Sequence, residues 1–317
     1  FLFRILFLVG VSLTSIFAET EGLVKNRPEF YAMLVFSAIG MSFMASAGDL
    51  ILLFLAIETA SIPLYVLAGV KVDNERSVEA GIKYLLFGGL ASAIMVFGFS
   101  ILYGMGGTTR IDQIYAAIKA ANAPVAGLVG AVLLVLAGFT FKISAVPYHW
   151  WAPDVYEGAP TPVSGFLSTA SKAAGFAIML RLMTILFGAE HAFIWQLLIA
   201  VIAIASMFGG NLVAIPQKNF KRLLAYSSIA QAGYMLIGVA SGSTFGYTAV
   251  VYYLMVYLLT NLMLFALIGW VERSTGNSDL ASFAGLQKRS PIAALAIMIG
   301  LLSLGGIPPF GGFFAKL

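Results

Sequence analysis

The chain has 317 residues, 60% of them hydrophobic and 10% charged, against about 25% charged in an ordinary soluble domain. Its net charge of +4 comes from scattered lysines and arginines, and without a dense basic patch no nucleic acid is expected as a partner. There is no cysteine, and the two histidines, His149 and His191, stand far apart; this excludes cysteine-ligated iron–sulfur clusters and disulfides and argues against a bis-histidine haem.

The apolar residues fall in runs close to the ~20 that a spanning helix needs. They predict an all-α polytopic membrane protein with about ten transmembrane helices, near 1–18, 30–47, 50–70, 79–104, 125–147, 162–187, 193–215, 222–240, 246–271 and 291–317. No Pro/Ser-rich linker divides them, so 1–317 reads as a single transmembrane domain. The chain opens on Phe1 and stops at Leu317 inside an apolar run, which reads as a fragment with both ends missing. Its first segment is a poor signal peptide: Ile16 suits the small −3 position badly, and Glu19 begins a charged loop. With the loops numbered in order, the odd ones carry Lys25, Arg27, Lys71, Arg76, Lys83, Lys218, Lys221, Arg222, Arg273, Lys288 and Arg289. The even ones carry Arg110 and Lys119. Positive charge marks the cytoplasmic side, so the odd loops face the cytoplasm.

The third segment holds Glu58, nine residues past Asp49, or about 13 Å of helical rise. That is close to mid-bilayer. Pro63 leaves the Thr59 carbonyl without its helical donor. A structural ion pair with a lysine of a neighbouring helix and a part in a proton relay both fit Glu58. Lys83 and Arg181 sit where a long side chain can snorkel to the interface. The fifth segment carries Lys142 and is interrupted at Pro147. In the aromatic, carboxylate-rich connection that follows, His149 could feed protons in from the cytoplasm or simply pack, and Asp154 could cap a turn. The sixth segment carries Lys172 about halfway along, among small residues and out of reach of either interface. Ser144, Ser168, Thr169 and Ser171 are available to complete a wire with water. His191 reads as an outer-loop histidine, and Lys221 and Arg222 as topology determinants. The tenth segment contains Gly305-Gly-Ile-Pro-Pro-Phe-Gly-Gly312 and then Lys316.

A charge at the centre of a spanning helix costs about 2.5–3.5 kcal/mol on insertion scales. Retaining Glu58, Lys142, Lys172 and Lys316 therefore points to movement of a cation or a proton. Burial disfavours an ammonium and a nearby carboxylate favours it. A Glu–Lys pair that parts and re-forms would thus switch the lysine between holding and releasing a proton. Prolines and glycines unwind the fifth and tenth segments, and unpaired backbone at that depth is tolerated only in protein or beside a wet cavity. These two broken helices lie five segments apart. Five is odd, so a repeat of that period is inverted in the membrane, as in many transporters. The first five-helix repeat is expected over 30–187 and a second, incomplete one over 193–317, with the first segment outside both.

These stretches in this order resemble a known family, the antiporter-like membrane subunits of respiratory complex I. The resemblance rests on Glu58–Tyr65, Phe141–Pro160, Ser168–Gly175, Lys221–Ala230 and Gly305–Lys316, covers essentially the whole chain, and is nearest to the N-type subunits. It implies a fourteen-helix antiporter-like fold with two inverted five-helix repeats, entered at helix three and left within helix twelve. It implies that Glu58 pairs with Lys142, that Lys172 is the central lysine, that Lys316 lies near the outward half-channel, and that Lys83 is a further lysine on the cytoplasmic side. One position departs from the wider family. Gln231 stands where many members have histidine; it cannot titrate, although it can hold water, and N-type members often lack that histidine.

The resemblance also implies a function. The chain would be a non-redox, proton-translocating subunit of an NADH–quinone oxidoreductase of the complex I type, in the inner (plasma) membrane of a bacterium. It would bind no cofactor itself; NADH, FMN, iron–sulfur clusters and quinone are expected in partner subunits. Its own partners would be the other membrane subunits and the lipid bilayer. The alternatives are a subunit of a multisubunit Na+/H+ antiporter, with the same buried row, and a structural spacer that pumps nothing.

Overall fold

The computed structural model describes residues 1–21, 28–187 and 192–317; Lys25, Arg27 and His191 lie outside them. The first part runs α1 (Leu2–Thr20), α2 (Pro28–Met44), α3 (Leu50–Ala68) and α4 (Glu75–Gly106). Next come α5 (Ile111–Ala120), α6 (Val125–Ile143), α7 (Trp151–Gly158) and α8 (Thr161–Phe166), which passes through a π-helical turn, Leu167–Ser171, into α9 (Lys172–Phe187). The second part has α10 (Ala192–Ala214), α11 (Phe220–Ala240) and α12 (Thr244–Thr275). A 3-10 turn at Leu280–Phe283 leads to α13 (Leu286–Arg289), α14 (Pro291–Gly305) and α15 (Gly311–Lys316). Among the described residues, eight helical stretches are long and apolar enough to cross a membrane, and α2 and α14 are shorter apolar helices. All ten expected segments are therefore present as helices. Short helices also lie in stretches read as connections: α7 after the fifth segment, α13 after the ninth, and one after the fourth. The connection after α4, read as a polar loop, contains α5, which buries Ile111, Ile114 and Ile118 on one face.

The two parts reuse the same devices. Asp49 caps α3 by accepting the amides of Ile51 and Leu52, and Asn219 caps α11 by accepting that of Arg222. Each cap residue also bridges to the segment that follows a long helix, Asp49 to Arg110 and Asn219 to Asp279. Those long helices, α4 and α12, each have 32 residues. Helices α2 and α3 touch backbone to backbone at Gly40, and α10 and α11 do so at Gly210. A Cβ on Gly40 would lie 2.4 Å from the Ala60 nitrogen, and one on Gly210 would lie 2.6 Å from that of Ala230. Small residues at such crossings let helices approach where lipid supplies no hydrophobic drive. Gly40→Ala is accordingly expected to destabilise the chain by about 2 kcal/mol, a typical overpacking cost, read as a lower unfolding temperature of the purified complex. No flexible side chain there can give way.

Helix α8, the π turn and α9 form the centre of the molecule: 94% of an 18-residue window within Thr161–Leu186 is buried. Such a helix needs an apolar surface on every side, yet this one buries Thr161, Ser164, Ser168, Thr169, Ser171 and Lys172.

Candidate functional site

The two breaks expected at Pro147 and Pro308–Pro309 have the same local structure. Helix α6 is capped by Ser144, in the left-handed region at φ +57°, and α14 by Gly306, at φ +78°. At the first, the amides of Ser144 and Ala145 reach back to Phe141 and Thr140; at the second, those of Gly306 and Ile307 reach back to Ser303 and Leu302. This is the double hydrogen bond of a Schellman cap. Three residues beyond each left-handed residue comes a proline with a cis peptide bond, Pro147 and Pro309. Freed backbone groups inside a bilayer must find partners, and here side chains supply them. Ser206 accepts the Val146 amide at 2.9 Å, and the Trp151 indole donates to the Phe141 carbonyl at 3.1 Å. At the second break, the Leu304 carbonyl accepts from both Gln231 at 2.9 Å and Lys316 at 2.6 Å.

Around these breaks lie the four groups singled out by their insertion cost. Lys142, on the last turn of α6, is 3% exposed and donates to Ser61 Oγ of α3 at 2.9 Å. Glu58 lies one turn before Ser61 on the same helix and accepts from Ser92 of α4 at 2.5 Å. The direct Glu58–Lys142 ion pair implied by the resemblance is thus replaced by a serine contact on each side. Ser61 and Ser92 are better placed because Lys142 extends toward α3 at the turn after the glutamate. Lys172, 2% exposed at the start of α9, donates to the carbonyl and hydroxyl of Ser228 on α11, both at 2.9 Å. Lys316 is half-buried, with its ammonium 4.4 Å from the centre of the Tyr234 ring. It borders a cleft of about 220 Å³ that Tyr253 also lines. None of the three lysines is in ion-pair contact with a carboxylate among the described residues.

Helix α11 links the later members. It offers Ser228 to Lys172 and, one turn on, Gln231 to the carbonyl shared with Lys316. Gln231 also accepts from the Tyr253 hydroxyl, so its amide is committed to protein partners. Helix α3 presents Glu58 and Ser61 with the same spacing. Among the serines and threonines proposed for a wire, Ser168 accepts from Asn261 at 2.8 Å, while Thr169 turns to its own backbone at Gly165. Ser144 and Ser171 have buried hydroxyls that make no hydrogen bond of good geometry among the described residues.

Lys83 and His149 lie apart from this row. Lys83 pairs with Glu79 at 2.6 Å and with Asp154 at 2.7 Å. Asp154 also takes Arg222 at 2.7 Å, and Arg222 reaches Glu157 at 3.0 Å. Helices α4, α7 and α11 are joined there around a cleft of about 210 Å³. His149 is half-buried between α6 and α7, with Nδ1 3.3 Å from the Pro147 carbonyl oxygen and its ring against Trp150. A second cluster holds Lys221 on Glu272 at 3.2 Å, with Thr161 donating to the same carboxylate at 2.6 Å. Sequence reasoning took Lys221 and Arg222 as topology markers and offered a turn cap for Asp154. The available signal was Asp154 and Glu157 three apart on one helical face.

Two discontinuous helices in matching places, with buried amines beside them, define a transporter-class polytopic membrane protein. The chain belongs to the NADH:quinone oxidoreductase/Mrp antiporter transmembrane family, whose profile matches residues 47–317. It is 47% identical to NADH-quinone oxidoreductase subunit N of Heliobacterium modesticaldum, over 98% of this chain and 66% of that protein. It is 48% identical to the subunit of the same name from Moorella thermoacetica, over 99% and 66%. The chain thus spans just under two thirds of the length of these relatives. Among solved structures, it matches a chain of respiratory complex I from Thermus thermophilus with a TM-score of 0.83 and 36% identity, over 99% of this chain and 67% of that one. It also matches a chain of the Mrp complex from Dietzia sp. with a TM-score of 0.84 and 27% identity, over 99% and 59%.

Proposed function

We propose that this chain is a proton-translocating membrane subunit of an NADH–quinone oxidoreductase of the complex I type, in a bacterial inner membrane. Glu58, Lys142, Lys172 and Lys316 relay the proton, and quinone reduction in other subunits drives it. NADH, FMN, iron–sulfur clusters and quinone are held by those partners. The observation that carries the reading is the pair Lys142 and Lys172: two almost fully buried amines, each held by a serine hydroxyl and neither in contact with a counter-ion among the described residues. An ammonium fixed for structural purposes would need a paired carboxylate. An amine held only by neutral oxygens is not locked in its charged form by a counter-ion, so it is free to release its proton. We further propose that 30–187 and 193–317 are inverted repeats; the recurring caps, glycine crossings and breaks support this. Lys83 and His149 serve on the cytoplasmic side, Lys83 by holding Asp154 and His149 by exchanging protons next to the first break.

The test is Lys142→Met in the assembled complex. Proton translocation per electron is expected to fall while quinone reduction in detergent persists; unchanged translocation would refute the relay role. The second reading, a Na+/H+ antiporter subunit, draws on the likeness to the Mrp complex. Copurification separates them: flavin and iron–sulfur subunits accompany the first, small antiporter subunits the second.

A further inference from the structure

Lys316 is held differently from Lys142 and Lys172. Among the described residues, neither a serine hydroxyl nor a carboxylate meets its ammonium. The side chain folds back over the second break and lies against bare glycine: a Cβ on Gly306 would be 2.9 Å from Lys316 Cδ. The ammonium then donates to the Leu304 carbonyl at 2.6 Å and stands 4.4 Å from the centre of the Tyr234 ring on α11.

The ring is in turn held from a third helix. Asn211 of α10 donates to the Tyr234 hydroxyl at 3.0 Å. Its neighbour Gly210 is where α10 and α11 touch backbone to backbone, so the amide is brought within reach by that close crossing. Packing alone does not explain the contact. Asn211 shares an exposed face of α10 with Phe208 and Ile215, three residues back and four on, where an amide is disfavoured unless it has a partner. A tyrosine that only anchored α11 at the membrane interface would leave its hydroxyl to water; this hydroxyl is taken by Asn211. The face of an aromatic ring is electrically negative and attracts an ammonium within about 6 Å. A neutral amine feels no such pull, so the contact acts only while Lys316 carries its proton. A ring also holds an ammonium less firmly than a buried carboxylate does, which leaves the proton able to depart.

We propose that Tyr234 is a positioning residue of the relay: its ring face serves Lys316 in place of a counter-ion, and Asn211 fixes the angle of that ring from α10. This rests on the relay role proposed for Lys316 above. Without the ring, the ammonium keeps only the Leu304 carbonyl, which it shares with Gln231.

The test compares Tyr234→Phe with the same substitution by singly, doubly and triply fluorinated phenylalanine, in the assembled complex in proteoliposomes. Translocation is read above the baseline left by Lys316→Met. Fluorine draws charge from the ring face and barely alters its shape. The rate is expected to fall stepwise with each fluorine, by about tenfold at three, the equivalent of ~1.4 kcal/mol and within the range of a cation–π contact. Tyr234→Leu is expected to fall as far. Asn211→Leu is expected to slow translocation about threefold, the size of one hydrogen bond of modest net worth, and to change nothing in the Tyr234→Phe background, where the hydroxyl is already gone. An Asn211→Leu effect that persists in that background would overturn the part given to Asn211. A rate independent of fluorine count, with Lys316→Met still abolishing its share, would overturn the role of the ring and leave the relay standing. If Lys316→Met left translocation whole, both would be wrong. Should Tyr234→Leu fail to assemble, the fluorinated series decides by the same criteria, since it keeps the shape of the ring.

Discussion

Replacing Lys172 with methionine is expected to reduce proton translocation through this chain by about a hundredfold, the lower end of what a positioned acid–base group contributes. Methionine keeps most of the volume and removes only the amine. The site is enclosed on all sides, with Lys172 2% exposed and bonded only to Ser228. Stability should move the other way. Exchanging a buried ionisable group for an apolar one of similar volume is often neutral or stabilising, so the unfolding temperature should hold or rise while translocation is lost. Translocation at the unsubstituted level with the variant incorporated would remove Lys172 from the relay. A large fall in stability would mean that the amine has a structural role.

Arg222→Ala is expected to destabilise the joint between α7 and α11 by about 2–3 kcal/mol. Fully buried ion pairs lose more when one partner is removed, about 3–5 kcal/mol. Here the side chains of Arg222, Asp154 and Glu157 are 31%, 34% and 25% exposed, so solvent screens part of the loss. The variant leaves Glu157 with only Arg76, 4.0 Å away, and Asp154 with only Lys83. A double-mutant cycle with Asp154→Ala measures the pairwise share; a coupling near zero would show that the contact holds nothing together. The pH dependence has a definite sign. Burial alone would raise the Asp154 pKa, but hydrogen bonds from Lys83 and Arg222 outweigh it and hold the carboxyl below its ordinary value. The contribution of the cluster is therefore complete above the usual aspartate value of about 3.9. It is lost only as pH falls through the lower folded value. At neutral pH this joint stays closed, and Asp154 acts as a fixed charge.

Much of the architecture was legible because the bilayer imposes one-dimensional rules. Spans follow from runs of apolar residues, and the two breaks follow from proline and glycine inside such runs. The resemblance in Lys142–Pro147 and Gly305–Lys316 fell on those breaks. Helix α5 was missed because its apolar residues are few and its face is short. The reach of Lys142 to Ser61 was not legible, since it depends on how α3 and α6 are turned toward each other. The pairing of Asp154 with both Lys83 and Arg222 was hidden for the same reason: the three residues come from helices far apart in the chain.

By itself, the sequence determined that this is a multi-span membrane protein with two interrupted helices and a few ionisable groups at membrane depth. The cost of placing a charge in hydrocarbon depends on the residue and its distance from the segment ends, and both can be read along the chain. Only the tertiary structure decided what each charge touches. It gave Lys142 to Ser61, Glu58 to Ser92 and Lys172 to Ser228, and shared the Leu304 carbonyl between Gln231 and Lys316. Hydrogen bonds act over about 3 Å, and the rotation of one helix against another, set by packing such as that at Gly40 and Gly210, brings partners within that range or leaves them apart.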